Sequence, residues 1–74
     1  MVRVEELQGR LAAALPGATI AVVDTTGEGD HFDVRVQAAT FAGLSLIDQH
    51  RLVYDALGDL MRRVHALSLR TEPA

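Results

Sequence analysis

The fold is decided by residues 31–69, which read HFDVRVQAATFAGLSLIDQHRLVYDALGDLMRRVHALSL. Alternating apolar residues predict a strand at about Phe32–Ala38, and helical spacing then predicts a long helix at about Leu46–Val64. A second alternating run predicts a short strand at about Ala66–Arg70. A strand, a helix and a strand in this order favour a right-handed crossover, so we expect the two strands to lie parallel in one sheet.

Two histidines stand at corresponding points of this pattern, His31 just before the first strand and His65 just before the second. If the parallel strands are neighbours, both imidazoles emerge at the same end of the sheet, about 5–10 Å apart. Neutral imidazole is a common metal ligand, but two ligands are too few for a tight tetrahedral site. The pair therefore predicts a metal site that a partner or cofactor completes. Taken singly, His31 also fits an ordinary strand-entry residue and His65 a helix C-terminal cation.

The N-terminal half adds a helix at about Arg3–Leu15, a strand at about Ala18–Asp24 and a polar loop at Thr25–Asp30. The order α-β-β-α-β predicts an α+β fold, a two-layer sandwich in which both helices cover one face of a three-stranded mixed sheet. We expect a single domain over residues 1–74, with residues 71–74 as a tail.

Within the long helix, the predicted apolar stripe includes Leu46, Ile47 and His50, and the predicted outer face includes Gln49. We expect His50 to be a core or capping histidine whose nitrogens are hydrogen-bonded. Gly58 lies inside the predicted helix, where it costs about 1 kcal/mol relative to Ala.

Composition excludes several classes of function. Apolar residues make up 49% and charged residues 23% of the chain, which fits a folded domain. The absence of cysteine excludes disulfides, thiol catalysis and any iron–sulfur cluster held by this chain's own thiolates. A small domain without disulfides fits the reducing cytoplasm. No apolar run approaches the length of a membrane span, and the N-terminus lacks the apolar core of a signal peptide.

Two further groups of side chains carry alternative interpretations. Arg51, Arg62, Arg63 and Arg70 are either a solvated helix end or a docking face for nucleic acid or an acidic partner. The net charge of −3 opposes a general electrostatic attraction to nucleic acid. No nucleophile lies beside a base, and the adjacent Asp30 and His31 are a weak basis for a catalytic dyad, so we expect no enzyme activity.

Four short motifs together resemble the BolA family: HRLVYDAL at residues 50–57, VHALSL at 64–69, FAG at 41–43 and HF at 31–32. The resemblance covers residues 3–71. It implies a fold like the class II KH domain, although no GxxG loop is present to clamp a nucleic-acid backbone. Family members usually carry a basic residue where this chain has Gln49, and their tails commonly contain a Trp that is missing here.

The resemblance also implies a partner and a cofactor. In that family a monothiol glutaredoxin shares a bridging [2Fe–2S] cluster with the BolA-like protein, and the glutaredoxin brings a cysteine and a glutathione thiolate. The residues that match the family's cluster ligands are His65 and His31, and we expect Arg51, Arg62, Arg63 and Ala66 to contact the partner or nucleic acid. The isolated chain would bind no cluster and would be a monomer or weak homodimer. Because some family members are transcription regulators, DNA binding through the long helix and its basic C-terminal end at Arg62 and Arg63 is the alternative.

Overall fold

The computed structural model describes all 74 residues. Its elements, in chain order, are α1 (Val4–Ala14), β1 (Thr19–Asp24), β2 (His31–Ala38), α2 (Leu46–Leu57) and β3 (Ala66–Pro73), with 3₁₀ segments at Ala39–Phe41 and Gly58–Arg63. This order and the mixed three-stranded sheet confirm the predicted α+β architecture. Neither helix has the length and hydrophobicity that crossing a bilayer requires.

The central strand of the sheet is β2, which pairs antiparallel with β1 and parallel with β3. The parallel register places His31 opposite Ala66, the residue that follows His65. A crossover through α2 makes this pairing possible, because the chain must return to the starting end of the sheet before a parallel strand can form.

One face of the sheet is buried and the other is open to solvent. Alternation along β2 directs Phe32, Val34, Val36 and Ala38 inward, and each of these side chains is at most 2% exposed. Both helices pack on that face and contribute the fully buried residues Leu7, Leu11, Val53 and Leu57. Polar side chains of β2 and β3 cover the opposite face.

The second helix is shorter than the sequence predicts. We expected it to reach Val64, but it ends at Leu57, and Gly58 adopts a φ of +53° as the C-cap. A residue with positive φ cannot continue an α-helix, so the chain proceeds as a 3₁₀ segment up to Arg63. Gly58 is therefore a terminating residue and not the helix-interior glycine that we predicted.

The start of α2 also differs from the predicted apolar stripe. Ser45 caps the helix as expected, since its hydroxyl accepts a hydrogen bond from the Asp48 N–H at 3.1 Å. Leu46 and Ile47, however, are 61% and 71% exposed, whereas Gln49 is buried. The prediction for these three residues was wrong because the helix is rotated about its axis relative to the expected stripe.

The last strand is longer than predicted. It continues to Pro73, so most of the expected tail at residues 71–74 belongs to the sheet. Its extension buries Thr71, whose hydroxyl donates a 2.8 Å hydrogen bond to Oε1 of Gln49. The side-chain nitrogen of Gln49, Nε2, in turn donates a hydrogen bond to the Leu44 carbonyl at 3.0 Å. This buried polar contact joins the start of α2 to the end of β3.

Candidate functional site

The rings of His31 and His65 lie side by side at one end of the sheet. Their centroids are 5.0 Å apart and their planes are tilted by 53°. The His31 side chain is 38% exposed, and His65 is exposed. The structure therefore brings together His31 and His65, as the predicted topology required. His31 is the first residue of β2 and not the residue before the strand.

Backbone hydrogen bonds fix the junction between the two histidines. The Asp30 carbonyl accepts from the His65 N–H at 2.8 Å and from the Ala66 N–H at 3.1 Å. One peptide group of the β1–β2 loop thus holds the chain on both sides of His65. As a result, the segment that carries His31 and the segment that carries His65 are connected directly and not only through the sheet ladder.

The β1–β2 loop is rigidified by a single aspartate. The carboxylate of Asp24 accepts hydrogen bonds from the N–H groups of Thr26 at 3.3 Å, Gly27 at 2.9 Å and Gly29 at 3.0 Å. Aspartate commonly organises turns in this way because its short side chain reaches the backbone a few residues ahead. The loop that leads into His31 is therefore an ordered turn structure.

The carboxylate of Asp30 orients the His31 ring. Nδ1 of His31 lies 3.0 Å from Oδ1 of Asp30, and Nδ1 is buried. The two groups lie at ion-pair distance, but the contact does not meet the geometric requirements of a hydrogen bond. Nδ1 of His31 thus faces Asp30 and is closed to solvent.

The same contact changes the acidity of the carboxyl group. The imidazole of His31, followed by the hydroxyl of Thr26 at 2.9 Å, lowers the pKa of Asp30 below its ordinary value. Asp30 is therefore a carboxylate at neutral pH. A carboxylate behind a ligating imidazole is a common arrangement in metal sites, because it fixes the ring orientation and raises the basicity of the ligand.

The spacing of the two rings fits a shared metal. A metal bound to one nitrogen of each ring at about 2 Å lies about 3 Å from each centroid, so tetrahedral ligation needs centroids about 5 Å apart. The observed separation is 5.0 Å. No group of three or more His, Cys, Asp or Glu side chains is arranged to hold a metal ion. The two imidazoles are thus a pair of candidate ligands at one end of the sheet.

A shallow cavity of about 230 Å³ adjoins His31 and includes Ala66 and Ser68 in its lining. Ala66, which the sequence singled out as a contact residue, lies directly beside His31 across the strand pair. Its side chain is small and exposed. A larger cavity of about 340 Å³ lies on the open face of the sheet around Arg35 and Arg70.

The arginines predicted as contact residues do not form one patch with shared properties. Arg62 is exposed and has no ion pair or side-chain hydrogen bond. Arg63 donates a 2.7 Å hydrogen bond to the Met1 carbonyl and lies 3.7 Å from Glu6, so it is engaged within the chain. Arg51 lies 4.0 Å from Asp48 on the exposed side of α2.

His50 is half-buried beside Tyr54, with an edge-to-face ring separation of 6.5 Å, and its nitrogens make no hydrogen bond within the protein. The predicted hydrogen-bonded core histidine was therefore wrong. Sequence reasoning also missed the structural roles of Asp24 and Asp30. The polar composition of residues 24–30 indicated a loop, but the particular carboxylate that organises it carried no signal of its own.

Comparison with known proteins places this fold in a family. The family model described as "BolA-like protein" matches residues 11–74, which include both histidines. The uncharacterized protein RP812 of Rickettsia prowazekii is 38% identical over 68 residues, covering 90% of this chain and 88% of that protein. The DNA-binding transcriptional regulator BolA of Escherichia coli is 33% identical, covering 90% of this chain and 71% of that protein.

The solved structures agree with the sequence relatives. The crystal structure of a bol-like protein from Babesia bovis superposes with a TM-score of 0.88 at 27% identity, and the match covers 99% of this chain and 86% of that one. The resemblance read from the four sequence motifs is thus confirmed independently by family model, relatives and fold. The chain belongs to the BolA family.

Proposed function

We propose that this protein is an adaptor that binds a monothiol glutaredoxin and co-ligates a bridging [2Fe–2S] cluster through His31 and His65. The observation that carries the proposal is the 5.0 Å approach of two accessible imidazoles at one end of the sheet. The chain contains no cysteine, so the thiolates must come from the glutaredoxin and its glutathione. Its task is iron–sulfur trafficking or iron and redox regulation in the cytoplasm.

The residues of this chain have distinct parts in the proposed complex. His65, on an exposed junction, is the principal ligand, and His31, which is oriented by Asp30, is the second. A cluster with imidazoles on one iron supplies one-electron chemistry at a higher potential than all-cysteine ligation gives. The open side at Ala66 allows a partner to approach both rings. BolA-family proteins are adaptors or regulators, which confirms the prediction that the chain is not an enzyme.

A titration with cluster-loaded monothiol glutaredoxin tests the proposal. Addition of the wild-type protein should change the visible absorption and circular dichroism of the cluster, and His65→Ala should abolish that change. His50→Ala is the matched control, because His50 is also half-exposed but lies on α2 beside Tyr54. Wild-type spectra from the His65→Ala complex would refute the ligand assignment.

The effect of His31→Ala should be milder than that of His65→Ala. His31 is the less exposed of the two rings, and solvent or another ligand can take its place at the open end. The affinities for apo and cluster-loaded glutaredoxin give an independent measure. Equal affinity for both forms, unaffected by either histidine substitution, would identify a protein-interaction module that binds no cluster.

DNA binding is the second candidate, and the E. coli relative described as a DNA-binding transcriptional regulator is the observation that favours it. In this chain the surface would be α2 with the exposed Arg51 and Arg62, whereas Arg63 is engaged with Met1. A binding isotherm at two salt concentrations, with Arg51→Ala/Arg62→Ala as the test variant, measures this function. Absence of salt-dependent, arginine-dependent binding at micromolar protein would eliminate it.

A further inference from the structure

We propose that the first two residues act as a strap that positions the His31–His65 pair, and that Gly29 and Arg63 are the positioning residues that hold the strap in place. The strap, Met1–Val2, precedes the part of the chain that the family model matches, which begins at residue 11. The importance of this device for cluster ligation rests on the proposed function, but the positioning itself is a property of the unliganded protein.

The strap is anchored in the hydrophobic core. Val2 is 1% exposed and belongs to the main core cluster, so its burial drives the strap against the molecule. Its N–H donates a 3.0 Å hydrogen bond to the Gly29 carbonyl. The strap thus lies across the β1–β2 loop next to Asp30, whose carbonyl holds both His65 and Ala66.

Gly29 permits the close approach of the strap. It is buried, with a φ of +74°, and a Cβ at this position would lie 2.5 Å from Cγ of Met1 and 2.7 Å from the Val2 carbonyl oxygen. The methionine side chain can move, but the carbonyl is backbone. Any side chain at Gly29 must therefore displace the strap or the loop.

Arg63 ties the strap to the other half of the site. Its guanidinium donates a 2.7 Å hydrogen bond to the Met1 carbonyl and lies 3.7 Å from Glu6 of α1. Arg63 is two residues before His65, so the strap contacts the segment leading to each histidine. The strap therefore bonds both to the β1–β2 loop at Gly29 and to Arg63. The Asp30 carbonyl joins the same loop directly to the segment that follows Arg63.

The loop offers a matched pair of substitutions. Gly27 has a φ of +78°, and its N–H, like that of Gly29, bonds Asp24, but a Cβ there would meet nothing within 4 Å. Gly29→Ala and Gly27→Ala therefore impose the same backbone strain, and only the first displaces the strap. In Gly29→Ala we expect amide hydrogen exchange at His65 and Ala66 to accelerate about tenfold relative to Gly27→Ala, as loss of one hydrogen bond predicts.

The NMR contact between the two imidazole rings is the second readout. A variant that only lowers global stability would leave this contact unchanged in the molecules that remain folded. It should weaken in Gly29→Ala and persist in Gly27→Ala, both measured in the unliganded protein at a temperature where each is folded. Equal exchange rates and equal ring contacts in the two variants would overturn the proposal.

Arg63 provides a test that does not depend on Gly29→Ala folding. Arg63→Ala should reproduce the loss of protection at His65 and Ala66, Arg63→Lys should restore part of it by donating to the Met1 carbonyl, and Arg62→Ala should have no effect because Arg62 has no partner. Identical behaviour of the Arg63→Ala and Arg62→Ala proteins would refute the role of Arg63. Because no glutaredoxin is present, these results stand apart from success or failure of the cluster titration.

Discussion

The buried contact between Gln49 and Thr71 should stabilise the fold as a coupled pair. Gln49 and Thr71 are 7% and 8% exposed, and two hydrogen bonds at 2.8 and 3.0 Å link Thr71 through Gln49 to the Leu44 carbonyl. Gln49→Leu removes both bonds, which at about 1 kcal/mol each lowers the free energy of unfolding by about 2 kcal/mol. Thr71→Val removes one bond and leaves Oε1 of Gln49 unpaired, at a cost of about 1–2 kcal/mol.

The double variant separates coupling from simple addition. In Gln49→Leu/Thr71→Val neither side chain of the pair is left unsatisfied, so the total cost should be about 1 kcal/mol less than the sum of the single costs. Urea denaturation followed by far-UV circular dichroism measures all four proteins. In thermal unfolding, the loss of 2 kcal/mol in Gln49→Leu corresponds to a fall in Tm of about 8–16 °C for a domain of this size.

Gln37→Leu is the control, because Gln37 lies on the open face of the sheet and should change stability by no more than about 0.5 kcal/mol. Additivity of the two single substitutions within about 0.5 kcal/mol would refute the reasoning, since independent sites add within that margin. A Gln49→Leu protein as stable as wild type would refute it as well.

Three other predictions follow from local geometry and pH dependence. Gly58→Ala should destabilise the protein by about 1–3 kcal/mol, because Gly58 has a φ of +53°. Gly9→Ala, in the middle of α1, should instead stabilise the protein by about 0.5–1 kcal/mol. If α2 ends at Leu57, denaturation of the two variants gives changes in the free energy of unfolding that have opposite signs. Ser45→Ala should cost about 1 kcal/mol by the same assay, and no loss would contradict its role as the N-cap. The pKa of Asp30 is lowered on folding, so its stabilising contribution is present above the ordinary aspartate pKa and is lost as the pH falls through the folded value. The stability difference between wild type and Asp30→Asn should therefore shrink as the pH falls below the ordinary aspartate pKa, and a constant difference would contradict the contact with His31.

The parts of the fold that depend on periodicity were predicted from the sequence. Alternation along β2 identified its buried face, and the strand–helix–strand order identified the parallel pairing with β3. The end of α2 was missed because apolar spacing continues through Leu60, which is buried in the 3₁₀ segment. Gly58 directly after Leu57 was the available signal, since glycine commonly follows the last turn of a helix.

The candidate site was predictable only where topology determines it. Parallel strands that both begin beside a histidine must bring the two rings to one end, and the 5.0 Å separation agrees with that expectation. The burial of Gln49 had no comparable signal, because it depends on β3 extending to Thr71 and on the rotation of α2. The strap could not be predicted either, because Val2 is a single apolar residue before α1 and one residue forms no periodic pattern.

The parallel pairing of β2 with β3 has a consequence for the order of folding. The hairpin of β1 and β2 needs only local closure, whereas β3 can join the sheet only after the whole crossover through α2 has been laid down. Contacts between distant parts of a chain form late, because they carry the larger loop-closure entropy. His31 and His65 therefore meet only in molecules whose last strand has docked, and a partly folded chain does not present the two imidazoles as a pair.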